Sequence, residues 1–280
     1  MTIQVVTDSG ADVPPEIAKE LGILTVPLIV SFGTQSYRDG VDLSGEEFYK
    51  RLVVEQDMPT TSQPSVGDFS EVYKGLKAAS KEILSIHISG KLSGTLNSAT
   101  QAAALEDLGD TIRILDSQQA SMGLGFGVIA AAEAAKNGAT LAEAAAAAES
   151  VLQRTTTYIL FDTLKYLEKG GRIGRASALL GSVLQLKPIL ALEDGEIATK
   201  AKIRTFQKGV RTLEQLTEDC GDLESAAVLY TTDQTEARNL AGRLRNSFTN
   251  DAKPLTVRIS PAVGTHGGPG VIGMICVSVK

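Results

Sequence analysis

From residue 3 to residue 153 the sequence alternates short β-rich apolar runs with helical stretches, and a chain built that way has few folds open to it. Ile3–Thr7 reads as a strand closing on Asp8-Ser9-Gly10-Ala11-Asp12, and Pro14-Pro15 introduces a helix over Glu16–Leu21. Leu24–Phe32 reads as a single strand and Gly33–Leu43 as a hydrophilic connection. Ser44 starts a helix over Glu46–Val54, and Met58–Ser65 reads as a loop before a helix over Val66–Ala79. Strand Glu82–Ile88, helix Thr95–Ala104, strand Thr111–Leu115 and helices Met122–Asn137 and Leu141–Gln153 follow, with Gly138 as the stop between the last two. Strands separated by helices imply right-handed crossovers and a parallel sheet covered on both faces.

After Arg154 the pattern changes. A strand over Thr157–Phe161, a helix over Leu164–Lys169 stopped by Gly170-Gly171, and a helix over Arg175–Leu186 lead to two strands around Asp194-Gly195, a pair that favours a tight hairpin turn. Helix Gln207–Glu218, strand Ala226–Thr231, helix Thr235–Phe248 and strands Leu255–Ile259 and Val271–Val279 complete a second α/β unit with a mixed sheet. No biased linker marks the boundary, which the change of pattern places near residue 155, and no repeat of fixed period is present.

Charge and composition exclude several roles. The 27 basic and 33 acidic side chains leave a net charge of −6, with no basic tract to neutralise a nucleic-acid backbone. The N-terminal MTIQVVTDSG lacks a signal-type leader, and the Ala-rich stretch 128–148 is broken by Glu133, Lys136 and Glu143, so neither export nor a membrane span is expected. The only cysteines, Cys220 and Cys276, lack paired spacing, which fits a reducing cytoplasm, and two scattered histidines argue against a zinc site.

The polar loops sit where α/β proteins bind ligands, beyond the carboxyl ends of strands and beside helix N-termini. Taken singly, Asp8, Ser93 and Ser117 are accounted for as turn or cap residues. Their joint placement with Thr61-Ser62 and with the hydroxyl-rich SGKLSGTLNS of residues 89–98 points instead to an anion cradle. His266, inside Gly264-Thr265-His266-Gly267-Gly268-Pro269-Gly270, reads as a ligand contact because so much glycine suits close backbone approach. His87 lies in a strand pattern and reads as a core or sheet-edge histidine. A helix stop and restart explains the glycines of Lys169-Gly170-Gly171-Arg172-Ile173-Gly174-Arg175; nothing structural requires Arg172 or Arg175, which leaves an anion or an acidic partner open. Ser93 has no Gly-x-Ser-x-Gly elbow, and Gly90-Lys91 is not a Walker loop.

Six motifs in order carry a resemblance: Thr61-Ser62-Gln63-Pro64-Ser65, Leu92-Ser93-Gly94-Thr95, Leu115-Asp116-Ser117 with Ser121-Met122-Gly123, Asp162-Thr163-Leu164 through Arg172-Ile173, Lys187-Pro188-Ile189-Leu190, and His266-x-Gly268-Pro269-Gly270. Together they resemble the bacterial DegV family, whose members bind a long-chain fatty acid. The resemblance implies a two-domain α/β fold. Residues 1–155 would form a three-layer domain on a parallel sheet, and residues 156–280 a two-layer α/β domain with a mixed sheet that supplies His266. The acyl chain would lie in an apolar tunnel, which Phe126, Leu179 and Leu184 are candidates to line, although all three fit a plain core equally well. Thr61, Ser62, Ser93 and His266 would hold the carboxylate, assisted by backbone N–H groups at Gly94 and Thr95. The resemblance further implies no cofactor, no complete chemistry, and presentation of the carboxylate to a separate ATP-dependent kinase subunit that forms acyl phosphate. Arg172, Lys202 and Arg204 would face that partner or the phosphate, and transient contact with a membrane surface is compatible with the role. His266 would orient the carboxylate and serve phosphoryl transfer more than binding. Two alternatives stay open at this stage: a stand-alone acyl or ester hydrolase using Ser93 and His266, and a lipid-sensing regulator with no kinase.

Overall fold

The computed structural model describes residues 2–55, 57–79, 81–181, 186–244 and 253–279. In chain order these form β1 (Ile3–Asp8), α1 (Pro15–Leu21), β2 (Leu24–Val26), β3 (Ile29–Phe32), β4 (Gln35–Arg38), α2 (Gly45–Val54), β5 (Thr60–Ser62) and α3 (Val66–Ala78). Next come β6 (Glu82–His87), α4 (Thr95–Leu105), β7 (Ile112–Asp116), α5 (Met122–Lys136), α6 (Leu141–Leu152), β8 (Thr155–Leu160) and α7 (Lys165–Lys169). The chain then runs through β9 (Lys187–Glu193), β10 (Glu196–Ile203), α8 (Phe206–Glu218), β11 (Leu223–Tyr230), α9 (Gln234–Arg243), β12 (Leu255–Arg258), α10 (Pro261–Gly267) and β13 (Ile272–Ser278).

The first sheet is parallel, in the order β2-β1-β6-β7. Helices α3 and α4 bury Phe69, Tyr73, Ala99 and Ala102 against one face, while α5 and α6 cover the other with a layer of alanines. Capping boxes start α3 at Ser65 with Asp68 and α6 at Thr140 with Glu143, each closing two otherwise free backbone donors. The second sheet is mixed, in the order β10-β9-β8-β13-β11-β12, with only the β11–β12 pair parallel. Its hairpin turns at Asp194 and Gly195, whose φ angles of 53° and 78° are those of a tight primed turn. Helices α8 and α9 close one face of this sheet. The other face packs on Met122, Phe126 and Val151, so α5 and α6 lie between the two sheets and are wedged into both cores.

A third sheet, antiparallel and ordered β4-β3-β5, departs from the sequence expectation. The single strand expected over Leu24–Phe32 is two strands in two sheets. Pro27 has no N–H to continue the ladder, and the chain leaves the parallel sheet there to start β3. The hydrophilic connection 33–43 contains β4, and the loop expected over Met58–Ser65 contains β5, which carries Thr61 and Ser62. Two further differences concern helices. The helix expected over Arg175–Leu186 is a 3-10 turn over Gly174–Leu179, bounded by Gly174 and Gly181 at φ 53° and 81°, left-handed positions that an α-helix cannot run through. Its later part includes 182–185, outside the described residues, as does the expected extension of α9 to Phe248. His266, read as part of a glycine loop, lies in the last turn of α10. Among the described residues no helix is long and apolar enough to cross a membrane.

Candidate functional site

A cavity with about 810 Å³ of free space, counting its opening, lies between the small sheet, the loop after β6, the six-stranded sheet and α10. Most of its wall is apolar, from side chains such as Leu28, Ile88, Ile159, Phe161, Ile197 and Val271. Its polar members are Thr61, Ser62, Gln63, Ser93, Arg172 and His266.

Those polar residues are neighbours of one another. Thr61 Oγ1 and His266 Nε2 are 2.7 Å apart. A Cβ on Gly170 would collide with His266 Nδ1, so only glycine lets the α7 stop pass so close to the ring. Arg172 donates through Nη1 to Gly170 O at 2.6 Å and through Nε to Leu92 O at 3.1 Å, which ties it to the residue before Ser93. A Cβ on Gly94 would strike the Gln63 side chain, so this glycine admits Gln63 beside the Ser93 loop. Thr61, His266, Arg172, Ser93 and Gln63 thereby form one polar cluster drawn from β5, α10, the α7 stop and the loop before α4.

His266 is neutral near pH 7. Burial first, and then the positive charge of Arg172, push its pKa down to about 4. Its Nδ1 is buried with no hydrogen-bond partner. A neutral ring so placed is best served with its proton on Nε2, which then donates to Thr61 Oγ1 and leaves the threonine hydroxyl proton free to donate onward. Ser93 Oγ lies 2.8 Å from Thr95 Oγ1 and accepts from Thr95 N at 3.3 Å. Since His266 Nε2 is engaged by Thr61 and Ser93 by Thr95, the serine–histidine pair that a hydrolase needs is not formed.

The other sequence candidates fall in different places. Gly94 and Thr95 cap and open α4 behind Ser93 and are not in the cavity wall, and Thr95 is fully buried. Lys202 and Arg204 are exposed at the end of β10 and in the following turn and do not line the cavity. Arg172, expected to face a partner or the phosphate, is part of the cavity's polar cluster. Phe126 and Leu179 belong to the core cluster beside the cavity and do not line it, while Leu184 lies outside the described residues. Asp8 does structural work, accepting from Ile88 N and Gly10 N at 3.0 Å and pairing with His87 Nδ1 at 3.0 Å. His87 is a fully buried core histidine whose Nε2 meets Ser85 Oγ at 2.8 Å. Asp116 and Ser117 likewise brace the loop backbone, at Gly90 N, Gln118 N and Gln119 N. Gln63 is a site residue that sequence reasoning passed over; its signal was its place directly after Thr61-Ser62. Among the described residues, no group of three or more His, Cys, Asp or Glu side chains is placed to hold a metal.

An apolar chamber with hydroxyls, an amide, a guanidinium and a neutral imidazole gathered in one cluster suits a ligand with one polar head and a hydrocarbon body. The chain belongs to the DegV family: the family model, described as "Uncharacterised protein, DegV family", matches residues 2–279. A DegV domain-containing protein of Clostridium acetobutylicum is 38% identical, with 100% of this chain and 99% of that one covered. Protein DegV of Bacillus subtilis is 34% identical, with 100% of both covered. Among solved structures, a fatty-acid-binding DegV family protein from Thermus thermophilus superimposes with a TM-score of 0.92 at 33% identity over 100% of both chains. DegV of Bacillus subtilis, described as a fatty acid binding protein, gives 0.88 at 32% identity over 99% of this chain and 100% of that one.

Proposed function

We propose that the protein binds a long-chain fatty acid in this cavity and presents its carboxylate to a separate ATP-dependent kinase subunit for acyl phosphate formation. The observation that carries the binding half is the clustering of Thr61, Ser62, Gln63, Ser93, Arg172 and His266 in an otherwise apolar wall. The fatty acid binding described for the two similar structures supports it.

In this reading the hydroxyls of Thr61 and Ser93 donate to the carboxylate, with Ser62 and Gln63 beside them. Several donors are needed because a carboxylate leaving water loses its hydration. Arg172, held by two backbone carbonyls, supplies positive potential without a rigid bidentate grip. His266 keeps Thr61 oriented through its Nε2–H, and acts on the ligand head by way of that hydroxyl. Gly94 and Thr95 act at one remove, since Thr95 fixes the Ser93 hydroxyl. At about 0.8 kcal/mol per buried CH₂, roughly fourteen methylenes offer on the order of 11 kcal/mol before ordering costs, so the tail dominates affinity. Lys202 and Arg204, exposed at the end of β10 and in the turn after it, remain candidates for the docking face of the kinase subunit.

Native mass spectrometry of the purified protein, with organic extraction of whatever is released, tests the binding half. A stoichiometric mass shift that extracts as a long-chain fatty acid is the expected result. A protein that is empty and also refuses added fatty acid overturns the proposal.

A further inference from the structure

Helix α10 carries His266 in its last turn, and the other end of the same helix is held by carboxylates from distant parts of the chain. Its N-cap residue, Ser260, makes no side-chain cap hydrogen bond, and Pro261 at the first position brings no N–H. The cap is supplied from outside: Ser260 N donates to Asp12 Oδ1 at 3.1 Å, 248 residues away in sequence. Asp12 sits in the left-handed region at φ 52°, with its other oxygen accepting from Ser121 Oγ. A second carboxylate, Asp39, is 2% exposed and faces Ser260 and the Ala262 N–H at the first turn of α10. Ser9 Oγ donates to Asp39 Oδ2 at 2.7 Å and accepts from Leu28 N at 3.0 Å, while Asp39 Oδ1 and Ser260 Oγ are buried without a hydrogen-bond partner of good geometry.

The small sheet explains why this matters for the cavity. In its register Arg38 and Ser62 both stand opposite Ile29, and Tyr37 and Thr61 both stand opposite Val30. Asp39 follows Arg38 and donates its N–H to Leu28 O at 2.8 Å, so Asp39 and Thr61 lie on opposite flanks of β3. Two inter-strand spacings are about 9.5 Å, and six helical residues rise about 9 Å. One sheet therefore holds α10 at both ends, with Asp39 at its start and Thr61 on His266 at its finish. The helix between is continuous, with Gly264 N on Ser260 O at 2.7 Å and Gly268 N on Gly264 O at 2.8 Å. A Cβ on Gly264 would collide with the Tyr49 hydroxyl, which itself donates to Ile259 O at 3.0 Å just before the helix, so the body of α10 has little room to shift.

We propose that Asp12 and Asp39 are positioning residues for the cavity, acting through the start of α10 to set where its last turn holds the His266 ring against Thr61. The functional consequence rests on the fatty-acid reading above; the mechanical link does not. At pH 8, where both carboxylates are ionised, substituting either removes negative charge from the helix start, where it offsets the partial positive charge of free N–H groups. It also loosens the first turn of α10, whose Ala262 and Val263 line the cavity wall.

The chain has two histidines, His87 and His266, which makes the test direct. Protein labelled with ¹⁵N-histidine gives two sets of ring-nitrogen signals in long-range ¹H–¹⁵N spectra, with His87 as the internal reference for an intact parallel sheet. In Asp39→Asn and Asp12→Asn at pH 8 the expected result is that both ring signals of His266 move with the His87 signals in place, and that the affinity for oleate falls no further than it does in His266→Ala. Asp39→Glu, which restores the charge, should recover part of the wild-type His266 spectrum. Loss of the His87 signals would mean a variant had unfolded. Ser9→Ala, which removes one bond to Asp39 and no charge, then decides by whether His266 moves. Unchanged His266 signals in folded variants overturn the proposal. A wild-type protein that ignores oleate overturns the fatty-acid reading alone, since the His266 signals still decide the link through α10.

Discussion

Thr61 and His266 are 205 residues apart in sequence and 2.7 Å apart in space, one on the edge strand of a three-stranded sheet and the other on the last turn of α10. That contact joins the first half of the chain to the second at the cavity, so the two halves must be docked before the polar cluster exists. Thr61→Val keeps the shape and removes the hydroxyl. A hydrogen bond to a charged group contributes about 1.5–3 kcal/mol, so oleate affinity should fall roughly ten- to a hundredfold. Displacement of a fluorescent fatty acid measures this, and an unchanged affinity would remove Thr61 from the carboxylate site.

His266→Ala should separate binding from turnover. The ring is neutral near pH 7 and bonded to Thr61, and under the proposed function it acts on the ligand head through that residue, so its loss should leave fatty acid bound at near-stoichiometric occupancy while acyl phosphate formation with the kinase subunit fails. Occupancy by native mass spectrometry beside a reconstituted kinase assay reads both quantities. Lipid loss as severe as in a Thr61→Val, Ser93→Ala double variant would sink the assignment and make His266 a binding residue first.

Gly170 is a steric test of the same cluster. Its φ of −76° suits any residue, so Gly170→Ala introduces no backbone strain, yet the new Cβ would collide with His266 Nδ1. Forced overpacking of this kind costs about 1–3 kcal/mol. Urea unfolding should show that loss, and the ring signals of His266 should shift with it. Full stability and an unmoved ring would mean that the α7 stop yields freely and does not brace the histidine.

Much of this was legible in the sequence, and the exceptions share a cause. The parallel crossovers, the Asp194-Gly195 hairpin and the burial of His87 follow from periodicity and turn chemistry, which are local. The small sheet was hidden because β3, β4 and β5 have three or four residues each, too few for a period to register, and because β5 reaches β3 only after α2 intervenes. Reading α10 as a glycine loop was natural for Gly264-Thr265-His266-Gly267-Gly268, a poor helix by propensity. The helix forms because Asp12 caps it from afar and because Gly264 and Gly268 are needed where Tyr49 and Tyr166 press on the backbone. Arg172 stood out in the sequence with an anion or an acidic partner both open, and its place in the cavity wall was not legible because the carbonyls of Leu92 and Gly170 that hold it come from tertiary contacts.

The buried carboxylates give stability a pH dependence whose sign can be worked out. Burial, opposed by the Ser9 hydrogen bond and reinforced by the charge of Asp12, lifts Asp39 from 3.8 to about 7. Asp8, Tyr49, Tyr230 and Arg258 are ionisable groups around this cluster. Between about pH 4 and pH 7 the folded chain therefore holds a proton at Asp39 that the unfolded chain has released, and stability falls as pH rises, by up to about 1.4 kcal/mol per unit. Asp12, raised to about 6 mainly by burial, tilts stability the same way up to about pH 6. His266 tilts it the other way, because its folded value of about 4 lies below the ordinary 6.5 and the unfolded chain is the one that binds the extra proton in that interval. The Asp39 contribution is isolated by comparison with Asp39→Asn, which cannot titrate. Urea unfolding at pH 4.5, 5.5, 6.5 and 7.5 should show the asparagine variant gaining on wild type across the window and levelling off above about pH 7. A difference that stays flat with pH would show that Asp39 is ionised in the folded protein throughout, with Ser9 and the start of α10 stabilising its charge fully.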